Sequence, residues 1–221
     1  MADNNRENRK NRKDDSYEMF RPLMDYFGAV CSPKEFYWAV NDALHAAEAA
    51  IYDDRHSSMF VEERYVWERL FSYLPDTPKQ LQFLDVGCGT GLVGHFASLH
   101  CSERVNHMTL LDPSASMLDR IRERASQWPF ETTIQHGDID ALNSQPLYDV
   151  VTINSVLHHV VELDAFVNKV QGLIKPGGLL LTGQDPRAQH EIRSDVILRG
   201  RRLKKRIPFW DIRGQIRESK S

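Results

Sequence analysis

The stretch Gln82-Phe-Leu-Asp-Val-Gly-Cys-Gly-Thr-Gly-Leu-Val-Gly94 decides the fold. An apolar run that reads as a buried strand enters a glycine-rich turn, and a helical pattern follows directly. Gly87, Gly89 and Gly91 can take positive φ and let a ligand approach the backbone where a Cβ would block it. Such a turn suits a nucleoside-bearing ligand. A dinucleotide fingerprint puts its first glycine directly after the strand and its third five positions on. Counted from Gly87, the third position falls on Leu92. Counted from Gly89 the pattern fits, as Gly89-Thr-Gly-Leu-Val-Gly94, but the strand must then run through Gly87 and Cys88, which are poor strand residues. A nicotinamide dinucleotide therefore stays as the second reading.

Outward from this turn, short apolar runs alternate with amphipathic stretches, which is the signature of β-α-β units around a parallel sheet. The pattern predicts strands near 81–86, 106–111, 132–136, 148–153 and 178–184, and helices near 90–100, 114–127 and 162–174. Upstream, Ser32-Pro-Lys-Glu35 is a capping box with proline at the first helical position. Phe36, Val40, Leu44, Ala47 and Ile51 then recur at helical spacing and predict one apolar face up to about Tyr52. A second helix is expected over Met59 to Leu74, with Trp67, Phe71 and Leu74 on one side and Glu62, Glu63 and Arg69 largely elsewhere. Pro75 and Pro78 end it.

Asp85-Val-Gly-Cys-Gly-Thr-Gly91 resembles the first motif of the class I S-adenosyl-L-methionine (SAM)-dependent methyltransferases, acid-x-Gly-x-Gly-x-Gly after the first strand. Further features follow in the family's order. Met108-Thr-Leu-Leu-Asp112 resembles its second strand, and Pro113-Ser-Ala-Ser-Met-Leu118 the helix after it. Tyr148-Asp-Val-Val-Thr-Ile-Asn154 resembles the fourth strand, Ser155-Val-Leu-His-His159 the segment beyond, and Gly172 to Leu181 the turn and fifth strand. The likeness covers roughly residues 82 to 186. It implies an α/β, Rossmann-like, doubly wound and mostly parallel sheet with an N-terminal helical addition, and C-terminal strands that are abbreviated or irregular. The expected organisation is a polar tail over 1–16, a helical lid over 17–80, a SAM-binding core over 81–186 and a basic segment over 187–221.

The resemblance also implies a site. Gly87, Cys88 and Gly89 give backbone contacts to the methionine portion of the cofactor, and Asp85 orients the turn and accepts from its ammonium group. Asp112 suits the ribose diol, with capping of the helix at Pro113 as its alternative. Asp138 and Ile139, after the third strand, resemble the family's adenine contact, although by themselves they read as a turn with an acid. Asn154 faces the methionine moiety, and Tyr52 and His56, beside the lid helices, are candidates for contacting cofactor or substrate. His158 and His159 are candidates for the general base that an oxygen or acidic carbon nucleophile needs. Their structural alternative is packing against the cofactor loop. Asn154-Ser-Val-Leu lacks the Asn/Asp-Pro-Pro-aromatic tetrad of nucleobase and glutamine N-methylation. The Leu157-His-His159 form resembles the branch that methylates small metabolites, including quinone and polyketide precursors.

Composition bounds these readings. The chain has 221 residues, 41% hydrophobic, enough for one full core. No apolar run approaches the roughly 18 residues of a membrane span, so a cytoplasmic protein is the expectation. Cys31, Cys88 and Cys101 show no C-x-x-C spacing and no helical His pair exists, so no metal is expected. The net charge of -3 conceals a basic end, since residues 187–221 carry eleven Lys/Arg against four Asp/Glu. The run Arg199 to Arg206 either balances an acidic body or meets nucleic acid, anionic lipid or an acidic partner. Two rival functions stay open: an RNA- or protein-directed methyltransferase anchored by this tail, and a non-catalytic SAM-binding subunit. Leu179-Leu-Leu-Thr182 would be an apolar sheet edge if nothing followed it. Asp195 to Leu198, Ile207 to Trp210, or a second chain, as in a homodimer, is expected to cover it.

Overall fold

The structure is a computed structural model that describes residues 16–49, 51–56, 58–77, 80–142, 147–185 and 196–199. Residues 1–15 of the polar tail, the basic run beyond Arg199 and the Ile207 to Trp210 segment lie outside the described residues.

Four helices come first: α1 (Arg21–Phe27), α2 (Pro33–Ala49), α3 (Tyr52–Arg55) and α4 (Met59–Phe71). Then β1 (Leu81–Val86), α5 (Leu92–His100), β2 (Val105–Asp112), α6 (Ala115–Ala125), β3 (Glu131–His136), β4 (Tyr148–Asn154), α7 (Leu163–Leu173), β5 (Ile174–Gly183) and β6 (Val196–Arg199) follow. The sheet order is β3-β2-β1-β4-β5-β6. The first five strands run parallel, and β6 pairs antiparallel with β5, Val196 opposite Thr182 and Arg199 opposite Leu179. Val196–Arg199, which overlaps the expected 195–198 segment, covers the β5 edge. The order reverses between β1 and β4, which opens the crevice where ligands of such sheets bind, outside the carboxyl ends of the strands.

Strand period two divides the core. Phe83, Met108, Leu110, Val150, Leu179 and Leu181 face α4, α5 and α6, and Leu84, Val86, Leu111, Val151, Ile153 and Leu180 face α7. Trp67, Leu70 and Phe71 of α4 join the first layer, and Phe71 meets Phe83 edge-on. Each such side chain contributes ~1.5–3 kcal/mol when fully buried.

The capping box forms as the sequence predicts. Ser32 N–H donates to Glu35 Oε2 at 2.8 Å, and Glu35 N–H donates to Ser32 Oγ at 3.2 Å. The apolar face expected along α2 is not buried: Val40, Leu44 and Ile51 are exposed, and only Phe36 and Ala49 are buried. The helix instead packs on α6 and turns its polar aromatic side inward, as Tyr37 and His45 show below. A second departure concerns Glu63. The sequence puts it away from Trp67, but it is wholly buried, because positions four apart share a helix face.

Among the described residues no helix is long and apolar enough to cross a membrane. A surface hollow lined by Pro75, Leu81, Asp149 and Lys175 lies at the amino ends of the strands, remote from the glycine turn.

Candidate active site at the carboxyl edge of the sheet

β1 ends in the turn that carries Gly87, Gly89 and Gly91, all with positive φ. Gly87 N–H and Cys88 N–H donate to Leu111 O at 2.8 and 3.0 Å, which ties the turn to β2. At Gly87 a Cβ would lie 2.3 Å from Val156 Cγ2, so glycine is required by contact as well as by its φ of 69°. Gly89 is different. Its φ is 52°, and a Cβ there would meet nothing within 4 Å. This side of the turn is an open cradle beside its amides, which fits a nucleoside ligand.

Asp112, at the end of β2, is nearly buried, and both oxygens are engaged. Oδ2 accepts from Gly89 N–H and Oδ1 from Ser114 N–H, each at 2.8 Å. Asp112 thus holds the chain entering α6 and braces the turn, and each oxygen retains a free lone pair. Burial pushes its carboxyl above the usual range, opposed by those two amides. Pro113, next in the chain, accepts at its carbonyl from the His136 ring at 2.8 Å.

Asp85 lies within the sheet, 1% exposed, its Oδ1 accepting from Thr152 Oγ1 at 2.7 Å while Oδ2 has no partner among the described residues. Burial raises its carboxyl to about 7. Cys88 is buried too, and burial pushes its thiol well up.

Beyond β3, Gly137 N–H donates to Asp112 O at 3.0 Å, and Asp138 Oδ1 accepts from Asp140 N–H at 2.9 Å. That is the Asx turn the bare sequence suggested. Ile139 is buried in the same apolar cluster as Leu111 and Val151. Nearby Tyr17 is buried, and burial, then Glu162, Tyr37 and Asp138, raise its phenol to about 12. Asn154 ends β4, and its Oδ1 accepts from Trp67 Nε1 at 3.1 Å.

The two histidines separate in role. His158 Nδ1 lies 3.2 Å from Asp185 Oδ1, and the His158 backbone N–H donates to the same oxygen at 3.4 Å. A carboxylate thus fixes the ring and tautomer of one imidazole, the arrangement that prepares a general base. His159 stacks 4.1 Å from His158 and lies edge-on to His45 at 5.7 Å. Its carbonyl accepts from Tyr37 Oη. Burial first, then His158 and His45, lower its pKa to about 4. His159 is consequently neutral near pH 7 and a poor proton acceptor. Asp185, on the loop after β5, was missed by sequence reasoning because only the fold brings it to His158.

The N-terminal helices close over this edge. Asp53 of α3 accepts from Thr90 Oγ1 at 2.6 Å and from Arg124 Nη2 at 2.5 Å, while Arg124 Nη1 donates to Thr90 O at 2.6 Å. Thr90 belongs to the glycine turn, so α3 is latched to it. Tyr52 stacks on His56 at 4.6 Å, and its phenol is held up by burial and by Glu63, Glu48, Asp53 and Asp112. Tyr52 therefore stands among the acids of the crevice, whereas Asp53 is a contact that the sequence did not single out.

A family model for a methyltransferase domain matches residues 84–180. A ubiquinone biosynthesis O-methyltransferase of Rickettsia felis is 32% identical over 117 residues, covering 53% of this chain and 46% of the relative. A highly reducing polyketide synthase of Neocamarosporium betae is 26% identical over 168 residues, covering 69% of this chain and 6% of the synthase. The solved structure of CalS10, an amino pentose methyltransferase of Micromonospora echinaspora with SAM bound, superposes with a TM-score of 0.50 at 25% identity, covering 65% of this chain and 58% of that chain. The chain spans about half the length of the O-methyltransferases it matches. Over residues 84–180, which match the methyltransferase domain, the chain is similar to SAM-dependent methyltransferases.

Proposed function

We propose that the protein binds SAM and transfers its methyl group to an oxygen or carbon atom of a small organic molecule, with His158 as general base. SAM, when bound, supplies an electrophilic methyl group on a sulfonium. The residues of the chain have four tasks. The backbone of the turn at Gly87, Cys88 and Gly89 lies against the methionine portion, and the carboxylate of Asp112 receives the ribose diol. Asp138 and Ile139 border the adenine, and Asn154 the amino-acid portion. The lid helices, latched through Asp53, exclude water and hold the acceptor in line, which is the main contribution an enzyme makes to a displacement of this kind. His158, oriented by Asp185, takes the acceptor's proton.

The observation that carries the reading is the His158–Asp185 pair at the carboxyl ends of β4 and β5, on the sheet edge that also carries the glycine turn. An oxygen or carbon acid gives up a proton as it attacks, and such a base receives it. The O-methyltransferase relatives support oxygen as the acceptor atom.

The test incubates the full chain with SAM labelled by deuterium in its methyl group and a panel of catechols, phenols, β-ketothioesters and amines, read by mass spectrometry. Label on a hydroxyl or an activated carbon is the expected outcome. Label confined to amines would contradict the assignment of an oxygen or carbon acceptor.

A further inference from the structure

Glu63 carries a wholly buried carboxyl group to which the proposed reaction gives no task. It is 0% exposed, and neither oxygen meets a donor at hydrogen-bonding geometry among the described residues. A buried acid with no cation beside it costs stability, and a cationic group of a ligand would relieve that cost.

Its position indicates which part of the ligand. The C-terminal end of α4 lies at the amino ends of the strands, since Phe71 meets Phe83 and Pro75 O accepts from Arg104, just before β2. The first turns of α4 therefore lie over the carboxyl ends. Glu63 sits one turn before Trp67, whose indole N–H is bonded to Asn154 at the end of β4. Asp85, Thr152 and Asn154 alternate onto this same face of the sheet. Asp85 Oδ2 also lacks a partner among the described residues, so three such carboxyl oxygens belong to one face. Burial raises both acids to about 7. At Glu63 the Asn154 amide and the Trp67 indole, neutral donors close to the carboxyl but outside good hydrogen-bonding geometry, oppose that rise without offsetting it, and Glu62, on the same helix, adds to it. Glu63 in turn holds up the Tyr52 phenol from α3. None of these neighbours is a cation that donates hydrogen bonds. A sulfonium has charge but no N–H, whereas an ammonium has three donors.

We propose that Glu63 is a cofactor-binding residue that, together with Asp85, receives the α-ammonium group of the amino-acid portion of SAM at the end of β4. This rests on the cofactor reading above and adds to it a contact from the lid, so that closure of α4 and binding of the amino-acid end are one event.

The experiment compares the full-length wild type with Glu63→Gln by calorimetry, using two probes. S-adenosylhomocysteine has the ammonium but no sulfonium, and 5′-methylthioadenosine has no amino-acid portion. Glu63→Gln is expected to weaken S-adenosylhomocysteine roughly tenfold or more and to leave 5′-methylthioadenosine within about twofold. The proton released when S-adenosylhomocysteine binds near pH 7, read from enthalpies in buffers of different ionisation heat, should fall in the variant. The free variant also has a signature. An acid whose pKa rises from 4.5 unfolded to about 7 folded lowers stability progressively as pH climbs through that interval. The Tm of Glu63→Gln should therefore gain on the wild type over the same interval. Unchanged S-adenosylhomocysteine affinity, or equal weakening of both probes, overturns the inference. Unchanged affinity with lost turnover would make Glu63 a base on the acceptor side instead. A wild type that binds neither probe overturns the cofactor reading, and this inference with it.

Discussion

Replacing His158 with alanine is expected to lower the rate of methyl transfer ~10²- to 10⁴-fold, the usual contribution of a positioned general base. The affinity for S-adenosylhomocysteine should stay nearly constant, because the ring is bonded to Asp185 and not to the glycine turn. Loss of kcat without loss of ligand binding identifies an interaction made in the transition state. Asp185→Asn should give a smaller loss of the same kind, since the ring remains while its orienting charge is gone. His159→Ala is the control: burial and two neighbouring imidazoles lower its pKa to about 4, so it contributes packing and little basicity. Single-turnover kinetics on the acceptor found in the labelling panel measures all three. A His158→Ala protein with normal turnover would show that the acceptor ionises unaided.

Asp112→Ala is expected to lose ~1.5–3 kcal/mol of cofactor affinity, the range for hydrogen bonds to a charged group, or roughly 10- to 150-fold in Kd. From the sequence alone the acid, at a strand end, should matter little to stability. The structure revises that expectation. Asp112 accepts from both Gly89 and Ser114 amides, so its loss leaves two nearly buried donors unpaired and should also lower Tm. Asp112→Asn separates the two effects, since its single carbonyl can keep one amide while the charge is lost. Thermal denaturation alongside calorimetry distinguishes them. A variant with lowered Tm and unchanged affinity would make Asp112 a cap and no more.

These two residues also show how much the sequence contained. Asp112 was legible because an acid that closes an apolar strand, after a glycine motif in register, stands where a ligand hydroxyl or the start of a helix meets it. The strands were legible for a related reason: apolar runs of strand length between glycine, proline and polar turns leave little choice of boundary, and β1 falls at 81–86 as expected. Helix α1 was not legible, because Arg21–Phe27 buries only Met24 and so carries no apolar period. Asp185 was invisible because its partner lies 27 positions earlier in the chain and meets it only across β4 and β5. Glu63 is the instructive miss. A glutamate on an amphipathic helix reads as solvent-facing, yet the signal was present in its spacing of four from Trp67, which places it on the buried face. The opposite error occurred on α2. Val40, Leu44 and Ile51 read as a core face, but the helix is held by contacts that periodicity does not weigh, such as Tyr37 to the His159 carbonyl and the α3 latch beyond it.

The central claim is that the turn from Asp85 to Gly91 holds a SAM-type ligand and not a dinucleotide, and calorimetric titration of the full chain with S-adenosylhomocysteine and with NADH tests it most directly. Saturable one-to-one binding of S-adenosylhomocysteine with no heat from NADH is the predicted result. Saturable binding of NADH with no response to S-adenosylhomocysteine would contradict it.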